Sequence, residues 1–445
     1  MRKKIANWGN YPAIESEEVQ FTSISELKNI VTSNATAIAR GNGRCYGDAS
    51  LSSNVTISTL KFDKVLDFDT KEGIFECQAG VMLDQILEII VPEGWFLPVT
   101  PGTKFITVGG AVASDVHGKN HHIDGAFSKH VIELKIMLST GEVVTCNKEQ
   151  NTDLLEATCG GMGLTGVIIS VRFQLKKIET AYIKQTKIKV THLEELLDLF
   201  EANEHFTYSV AWIDCLKKGN GFGRSVLLMG EHALEEELTE KQMAKGPLKI
   251  PKRKSFSFPV NLPSWILNNF TVRLFNFLYY NKNLKKESNS IISYEQFFYP
   301  LDSILHWNRG YGKKGFVQYQ FVVPLENKEG LISILNKINE KGWGSFLAVL
   351  KIFGKQTDLI SFPIQGYTLA LDFPVRKNLF EFLHELDQIV LQHGGRIYLS
   401  KDARMKSNIF WKGYSNSEEF VSVVKKYNPL TKFQSIQSTR LSIIS

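Results

Sequence analysis

Short apolar segments broken by glycine dominate the first 175 residues, and longer amphipathic periods replace them afterwards. Residues 24–31 have the spacing of a short helix. Residues 55–58 and 74–78 read as strands. Residues 82–91 place their apolar side chains at helical intervals and stop at Pro92. The runs 131–138 and 141–145 flank Ser139-Thr140-Gly141 and predict a hairpin, and 167–175 predicts a further strand. The regular strand–helix alternation of a doubly wound fold is missing.

Beyond residue 180 the texture changes. Charged helical stretches are predicted at 192–201 and 232–245, and strands at 319–324, 347–353 and 367–373. Leu379, Phe382, Leu383, Leu386, Ile389 and Val390 share one helical face, which ends at Gly394-Gly395, a suitable C-terminal stop. This order predicts an antiparallel sheet flanked by helices. With 445 residues, too many for one ordinary domain, the expectation is a two-domain α+β protein.

Composition narrows the function classes. The five cysteines (Cys45, Cys77, Cys146, Cys159, Cys215) are odd in number and never spaced as CxxC, which argues against a disulfide framework and a structural zinc site. The opening MRKKIANWGNYP lacks the apolar run of a signal peptide, and no stretch approaches the roughly 20 apolar residues of a membrane span. A cytoplasmic location is expected. The net charge of +6 suits anionic ligands such as phosphates, but no nucleic-acid module accompanies it. Lys249, Lys252, Arg253 and Lys254 precede an aromatic stretch with Phe256, Trp265, Phe270, Phe275, Phe277 and Tyr280. Residues 249–280 read either as a contact with an anionic (inner) membrane surface or as a core helix beside a solvated loop.

Three glycine clusters carry the candidate chemistry. The first runs from Gly41 to Asp48 (GNGRCYGD). The second is Pro101-Gly102-Thr103 with Thr107-Val108-Gly109-Gly110. The third is GGMGLTG, 160–166. Glycine lets main-chain N–H groups approach an anion closely. The segment after the first cluster is small and polar rather than helical, so it does not read as a Rossmann loop. Three such clusters suggest an extended ligand with a pyrophosphate, and FAD fits that description. His117 and His121 lie four apart, but Gly118 disfavours helix and no HExxH pattern exists; a histidine packed by a flavin or a phosphate is favoured over a metal ligand.

GRCYGD, PGTKFITVGGAVASDVHGKNHH and GGMGLTG together resemble the FAD oxidoreductases of the vanillyl-alcohol-oxidase type, with their PCMH-type FAD domain. Within that group the chain is most similar to the decaprenylphosphoryl-ribose oxidase branch. The similarity extends through QFFYPLD (296–302), QYQF (318–321), KIFG (351–354), SFPI (361–364) and SKDAR (400–404).

The resemblance implies an FAD domain over 1–180, a substrate domain with an antiparallel sheet over 181–395, and a segment 396–445 that returns to the FAD domain. It places around FAD the residues Ala39, Arg40, Gly41, Asn42, Gly43, Arg44, Cys45, Tyr46, Gly47, Asp48 and Ala49. It adds Gly102, Thr107, Val108, Gly109, Gly110, Ser114, Asp115, Val116, His117, Ile168 and Tyr398. Related lactone oxidases attach flavin to a histidine of the first loop. That loop has none here, so non-covalent FAD is expected. Lys401, with Tyr46 and His117, is implied beside the reacting carbon. Gln318, Gln320 and Lys351 are implied to bind a sugar and its phosphate, and Trp212, Tyr299 and Thr368 to line the pocket.

The implied activity is oxidation of a secondary alcohol of a sugar, the 2-hydroxyl of a polyprenylphosphoryl pentose, as half of an epimerisation that an NAD(P)H-dependent reductase completes. An aldonolactone or polyol oxidase and a non-enzymatic flavin-binding protein are the alternatives. The chain departs from mycobacterial members at Thr368 and Ala370, where they carry asparagine and cysteine. That makes the pocket lining less polar.

Overall fold

A computed structural model describes residues 2–250, 255–263, 266–356 and 358–444. Lys252, Arg253, Lys254 and Trp265 of the basic-aromatic segment lie outside the described residues. The fold is α+β. A four-stranded mixed sheet has the order Arg2–Ala6, Ala13–Gln20, Val55–Ser58, Ala37–Arg40. A five-stranded antiparallel sheet follows, ordered Val65–Asp69, Ile74–Gln78, Val167–Gln174, Val131–Met137, Val143–Asn147. The helix Leu83–Ile90 buries Leu83, Ile86, Leu87 and Ile90 in the core of this second unit, as its periodicity predicts.

An eight-stranded antiparallel sheet forms the rest. Its order is Glu287–Ser293, Tyr182–Val190, Ser225–His232, Tyr208–Ile213, Ala348–Phe353, Gly366–Pro374, Phe316–Pro324, Arg396–Ile397. Alternation along the strands decides its two faces. Val317, Tyr319, Phe321, Leu350, Leu369 and Leu371 share a core with Leu196, Phe200, Ile334, Ile338, Phe382 and Leu386. The last six come from the helices Leu193–Ala202, Glu329–Lys341 and Leu379–Gln392. The intervening residues Gln318, Gln320, Lys351, Thr368 and Asp372 therefore turn to the other face. Gly394 stops the last helix in the left-handed region, at φ 70°.

One predicted helix is not formed. His232 ends a strand, and 232–245 otherwise holds only the single turns Glu235–Glu237 and Glu240–Met243. Its start is tied to the sheet, because Ala233 N donates to Tyr182 O (3.0 Å) and Thr180 Oγ1 donates to Ala233 O (2.7 Å).

We propose the domain limits 1–180 and 181–395, with 396–445 returning to the first unit. The returning segment makes defined contacts there. Ala37 N donates to Lys432 O (2.7 Å), Ile436 N donates to Leu51 O (2.8 Å), and Arg440 bridges Asp48 and Asp402. Arg396–Ile397 pair with Val322 and Phe321, so this segment starts as the edge strand of the large sheet.

Candidate active site

The first glycine loop leaves the strand Ala37–Arg40 and turns at Gly43, which has φ +59°. Its packing explains the glycines. A Cβ at Gly47 would lie 1.8 Å from Asp402 O, and one at Gly41 would lie 2.2 Å from Thr107 Oγ1. Side chains of the loop brace it. Arg40 donates to Asn7 Oδ1 and Ala6 O (3.1 Å each), Asn42 donates to Phe105 O (2.9 Å), and Arg44 stacks on Trp8 at 3.9 Å. Ala49 lies in the core, and the Cys45 thiol sits 3.2 Å from Ser50 Oγ. Burial raises its pKa, so it stays a protonated thiol.

The second cluster caps a short helix, Val108–Ala113. Thr107 Oγ1 accepts from Gly110 N at 3.2 Å, and Gly109 sits against Ala79, where a Cβ would be 2.9 Å from that side chain. Gly102 faces open space, with nothing within 4 Å of a Cβ placed there. Ser114 O accepts from the Tyr398 hydroxyl at 2.7 Å. Asp115 is fully buried, and its carboxylate accepts from Ser128 N (2.9 Å), Ser128 Oγ (3.1 Å), Gln356 Nε2 (2.9 Å) and the Ser361 hydroxyl. Val116 and Ile168 are core residues of the same unit.

His117 is where this loop meets the large sheet. Its ring packs against Phe353 (4.8 Å), Tyr398 (5.0 Å) and Phe362 (5.5 Å). Burial first, and then the charge of Lys351, hold its pKa well below the ordinary histidine value, so it is neutral. The Thr368 hydroxyl donates to Phe321 O (2.8 Å) and can only accept from Gln320 Nε2 (3.3 Å). The same amide nitrogen lies 2.9 Å from His117 Nε2. Nε2 is therefore the acceptor and Nδ1 carries the proton. Nδ1 is buried and has no partner among the described residues. An orphaned, buried N–H donor on the loop that follows the second glycine cluster is what a flavin ring, rich in acceptors, would satisfy. The residues present fit FAD.

The second group lies along the same sheet face. Gln318 Nε2 donates to Asp372 Oδ1 at 2.6 Å, and Tyr311 donates to Asp372 Oδ2 at 3.2 Å. The Lys401 ammonium lies 4.0 Å above the Tyr46 ring, and Tyr46 N donates to Ser400 O at 3.0 Å. Burial lowers the Lys401 pKa to about 8, opposed by the Asp372 carboxylate; burial raises that of Asp372 to about 7. Lys351 falls to about 7 through burial and then the charge of Lys401. Lys119 also falls to about 7 through burial and then the charge of Lys351, while its ammonium donates to Phe297 O.

Of the residues singled out in the sequence, His117, Gln320 and Thr368 are joined by hydrogen bonds, and Lys401, Tyr46, Gln318 and Lys351 share one electrostatic environment. Among the described residues, Trp212 and Tyr299 have no hydrogen bond to this group, although Trp212 lies on the same sheet face as Lys351. Trp212 packs on Tyr279 at 4.6 Å, and the wholly buried Tyr299 lies 2.6 Å, hydroxyl to hydroxyl, from Thr100. His121 uses both ring nitrogens structurally, on Gln356 Oε1 (2.9 Å) and Gly354 N (3.2 Å). Sequence reasoning missed Asp372, Tyr311 and Lys119. The one available signal was the two-residue alternation that puts Asp372 on the face of Thr368 and Ala370.

A glycine-lined cradle joined through a neutral histidine to a lysine- and glutamine-bearing sheet defines a class: FAD-dependent oxidoreductases acting on alcohol groups. A family model described as "FAD binding domain" matches residues 18–147. The chain is 35% identical, over 99% of its length and 98% of the relative's, to "Decaprenylphosphoryl-beta-D-ribose oxidase" of Mycolicibacterium smegmatis. It is 29% identical to an uncharacterized protein of Streptomyces coelicolor, over 82% of this chain and 100% of that one. L-gulonolactone oxidase of Bos taurus matches at 24%, over 45% of this chain and 46% of its own. The chain belongs to the decaprenylphosphoryl-ribose oxidase family of vanillyl-alcohol-oxidase-type flavoenzymes.

Proposed function

We propose that the protein oxidises the 2-hydroxyl of a polyprenylphosphoryl pentose to the keto sugar. A separate NAD(P)H-dependent reductase would complete the epimerisation. The observation that carries this reading is a cluster of three lysines: Lys351 on the sheet face, Lys119 of the loop after His117, whose ammonium donates to Phe297 O, and Lys401, whose ammonium lies 4.0 Å above the Tyr46 ring. A phosphate on the substrate neutralises them, whereas a neutral lactone leaves their repulsion uncompensated.

In this reading FAD is held without a covalent bond by Ala39–Ala49, Gly102, Thr107–Gly110, Ser114–His117, Ile168 and Tyr398. Bound FAD supplies the hydride acceptor for the alcohol carbon. The chain's own residues do the remainder. Gln318, Gln320 and Lys351 bind and orient the sugar phosphate. Lys401, poised near neutrality, takes the hydroxyl proton, with the Tyr46 ring fixing its ammonium and Asp372 tuning its charge. Thr368 acts through Gln320.

Anaerobic mixing of the FAD-loaded enzyme with a polyprenylphosphoryl pentose should bleach the flavin. Faster bleaching by aldonolactones would give the lactone-oxidase reading instead. Flavin that no alcohol reduces would make this a non-enzymatic flavin protein. Acid precipitation should release the yellow colour to the supernatant; colour kept in the pellet would refute non-covalent attachment.

A further inference from the structure

Helix Asn269–Asn281 is oriented against the usual rule for a soluble protein. Its buried side includes polar contacts: Asn276 Nδ2 donates to Asp214 Oδ1 (2.7 Å), and the Tyr280 hydroxyl donates to Val190 O (3.2 Å). Its outer side is apolar. Phe270, Leu274, Phe277 and Leu278, spaced four, three and one apart, are 73%, 47%, 55% and 58% exposed. Leu284, just past the helix, is 91% exposed. Exposed apolar surface this concentrated marks an interaction site.

Charge specifies the partner. Between Lys241 and Lys286 the chain holds ten of its 52 basic residues and none of its 46 acidic ones, so the remainder carries four more acidic than basic residues. Lys282, Lys285 and Lys286 are exposed directly after the helix, and Arg273 is exposed on it. Apolar side chains ringed by cations match an anionic phospholipid surface, where the former enter the headgroup boundary and the latter meet lipid phosphates. Among the described residues no helix is long and apolar enough to cross a membrane.

Position ties the patch to the active site. A pocket at the foot of this helix is lined by Leu267, Val272, Tyr311, Phe346, Asp372 and Arg376. Leu267 also packs against the cluster of Tyr46, Tyr311 and Phe316. We propose that helix Asn269–Asn281 docks the enzyme on an anionic bilayer, which sets the active-site residues Tyr311 and Asp372 beside the lipid in which a substrate's chain is anchored. The second half rests on the proposed substrate; the docking itself does not.

Sedimentation of the FAD-loaded full chain with phosphatidylcholine vesicles, with and without phosphatidylglycerol, tests docking in the absence of substrate. The protein should pellet with the anionic vesicles and be released by salt. Joint substitution Phe270→Ser, Leu274→Ser and Phe277→Ser should weaken binding at least about tenfold, since burying each such side chain is worth that or more. The variant should keep its turnover of a water-soluble short-chain sugar phosphate and lose turnover of vesicle-embedded substrate. A wild-type chain left in the supernatant, or a variant that binds equally well, overturns the proposal. So does a dimer that the variant converts to monomer, which would make a second copy the occupant. Vesicle binding without oxidation of any sugar phosphate would refute the proposed substrate alone.

Discussion

The Gln320 amide donates to His117 Nε2 across 2.9 Å and, through Thr368, is itself fixed in orientation. One strand residue therefore sets which nitrogen of a loop histidine carries a proton. The Gln320→Leu variant removes that constraint and leaves Nε2 unpaired. It should weaken FAD retention and slow flavin reduction by on the order of tenfold, the effect expected when a ligand's hydrogen-bonded support is lost. Fluorescence titration of the apoprotein with FAD and stopped-flow reduction check both; unchanged values would detach Gln320 from the flavin.

Lys401 carries the proton transfer in the proposed mechanism. The Lys401→Met variant should bind FAD normally and lose on the order of 100-fold or more in the reductive half-reaction. The group must be deprotonated to act as a base, so kcat/KM should rise with pH through about 8 in the wild type. Lys401→Arg keeps the charge without a titratable base and should show no such limb.

Asp372 tests the tuning of that base. Its negative charge raises the pKa of Lys401. The Asp372→Asn variant retains an acceptor for Gln318 but removes the charge. Its kcat/KM limb should therefore move to lower pH. A limb that stays in place would make Asp372 a purely structural partner of Gln318 and Tyr311.

Lys351 predicts a trade between stability and binding. Its pKa falls from 10.5 unfolded to about 7 folded, so folding disfavours its charged form. The penalty is fully present below pH 7 and fades as pH rises from about 7 to 10.5. Lys351→Met should raise the apoprotein's Tm at neutral pH, and the gain should shrink toward pH 10.5. The same variant should raise KM for the sugar phosphate. Melting curves across pH, with steady-state kinetics, check the pair.

Arg440 pins the returning C-terminal segment. It donates to Asp48 (2.7 Å) and Asp402 (2.8 Å), both almost fully buried. Arg440→Ala leaves two buried carboxylates without their cation and should destabilise the fold by about 3–5 kcal/mol. Urea unfolding measures this; a loss below 1 kcal/mol would mean that other groups satisfy these acids.

Local pattern was legible where local physics decides it. Leu83–Ile90 and Leu379–Gln392 follow their apolar periodicity, and Gly394 ends the latter because a left-handed turn favours glycine. The 232–245 helix failed because its first residues pair with Tyr182 and Thr180, more than fifty positions upstream. The motifs in the sequence led to FAD and to His117, Gln318, Gln320, Lys351 and Lys401. Nothing local distinguished Asp372 from any acid in a strand. Trp212, on the same sheet face as Lys351, packs on Tyr279, and Tyr299 lies beside Thr100.

The sequence by itself determined the secondary-structure periods, the glycine loops and the family, because propensity, backbone permissiveness and residue identity act over a few positions. Only the tertiary structure decided the tautomer of His117, the lowered pKa values of three lysines and the outward apolar face of Asn269–Asn281. Desolvation, charge–charge repulsion and exposure depend on which distant strands share a face, and that is settled when the large sheet closes over the glycine loops.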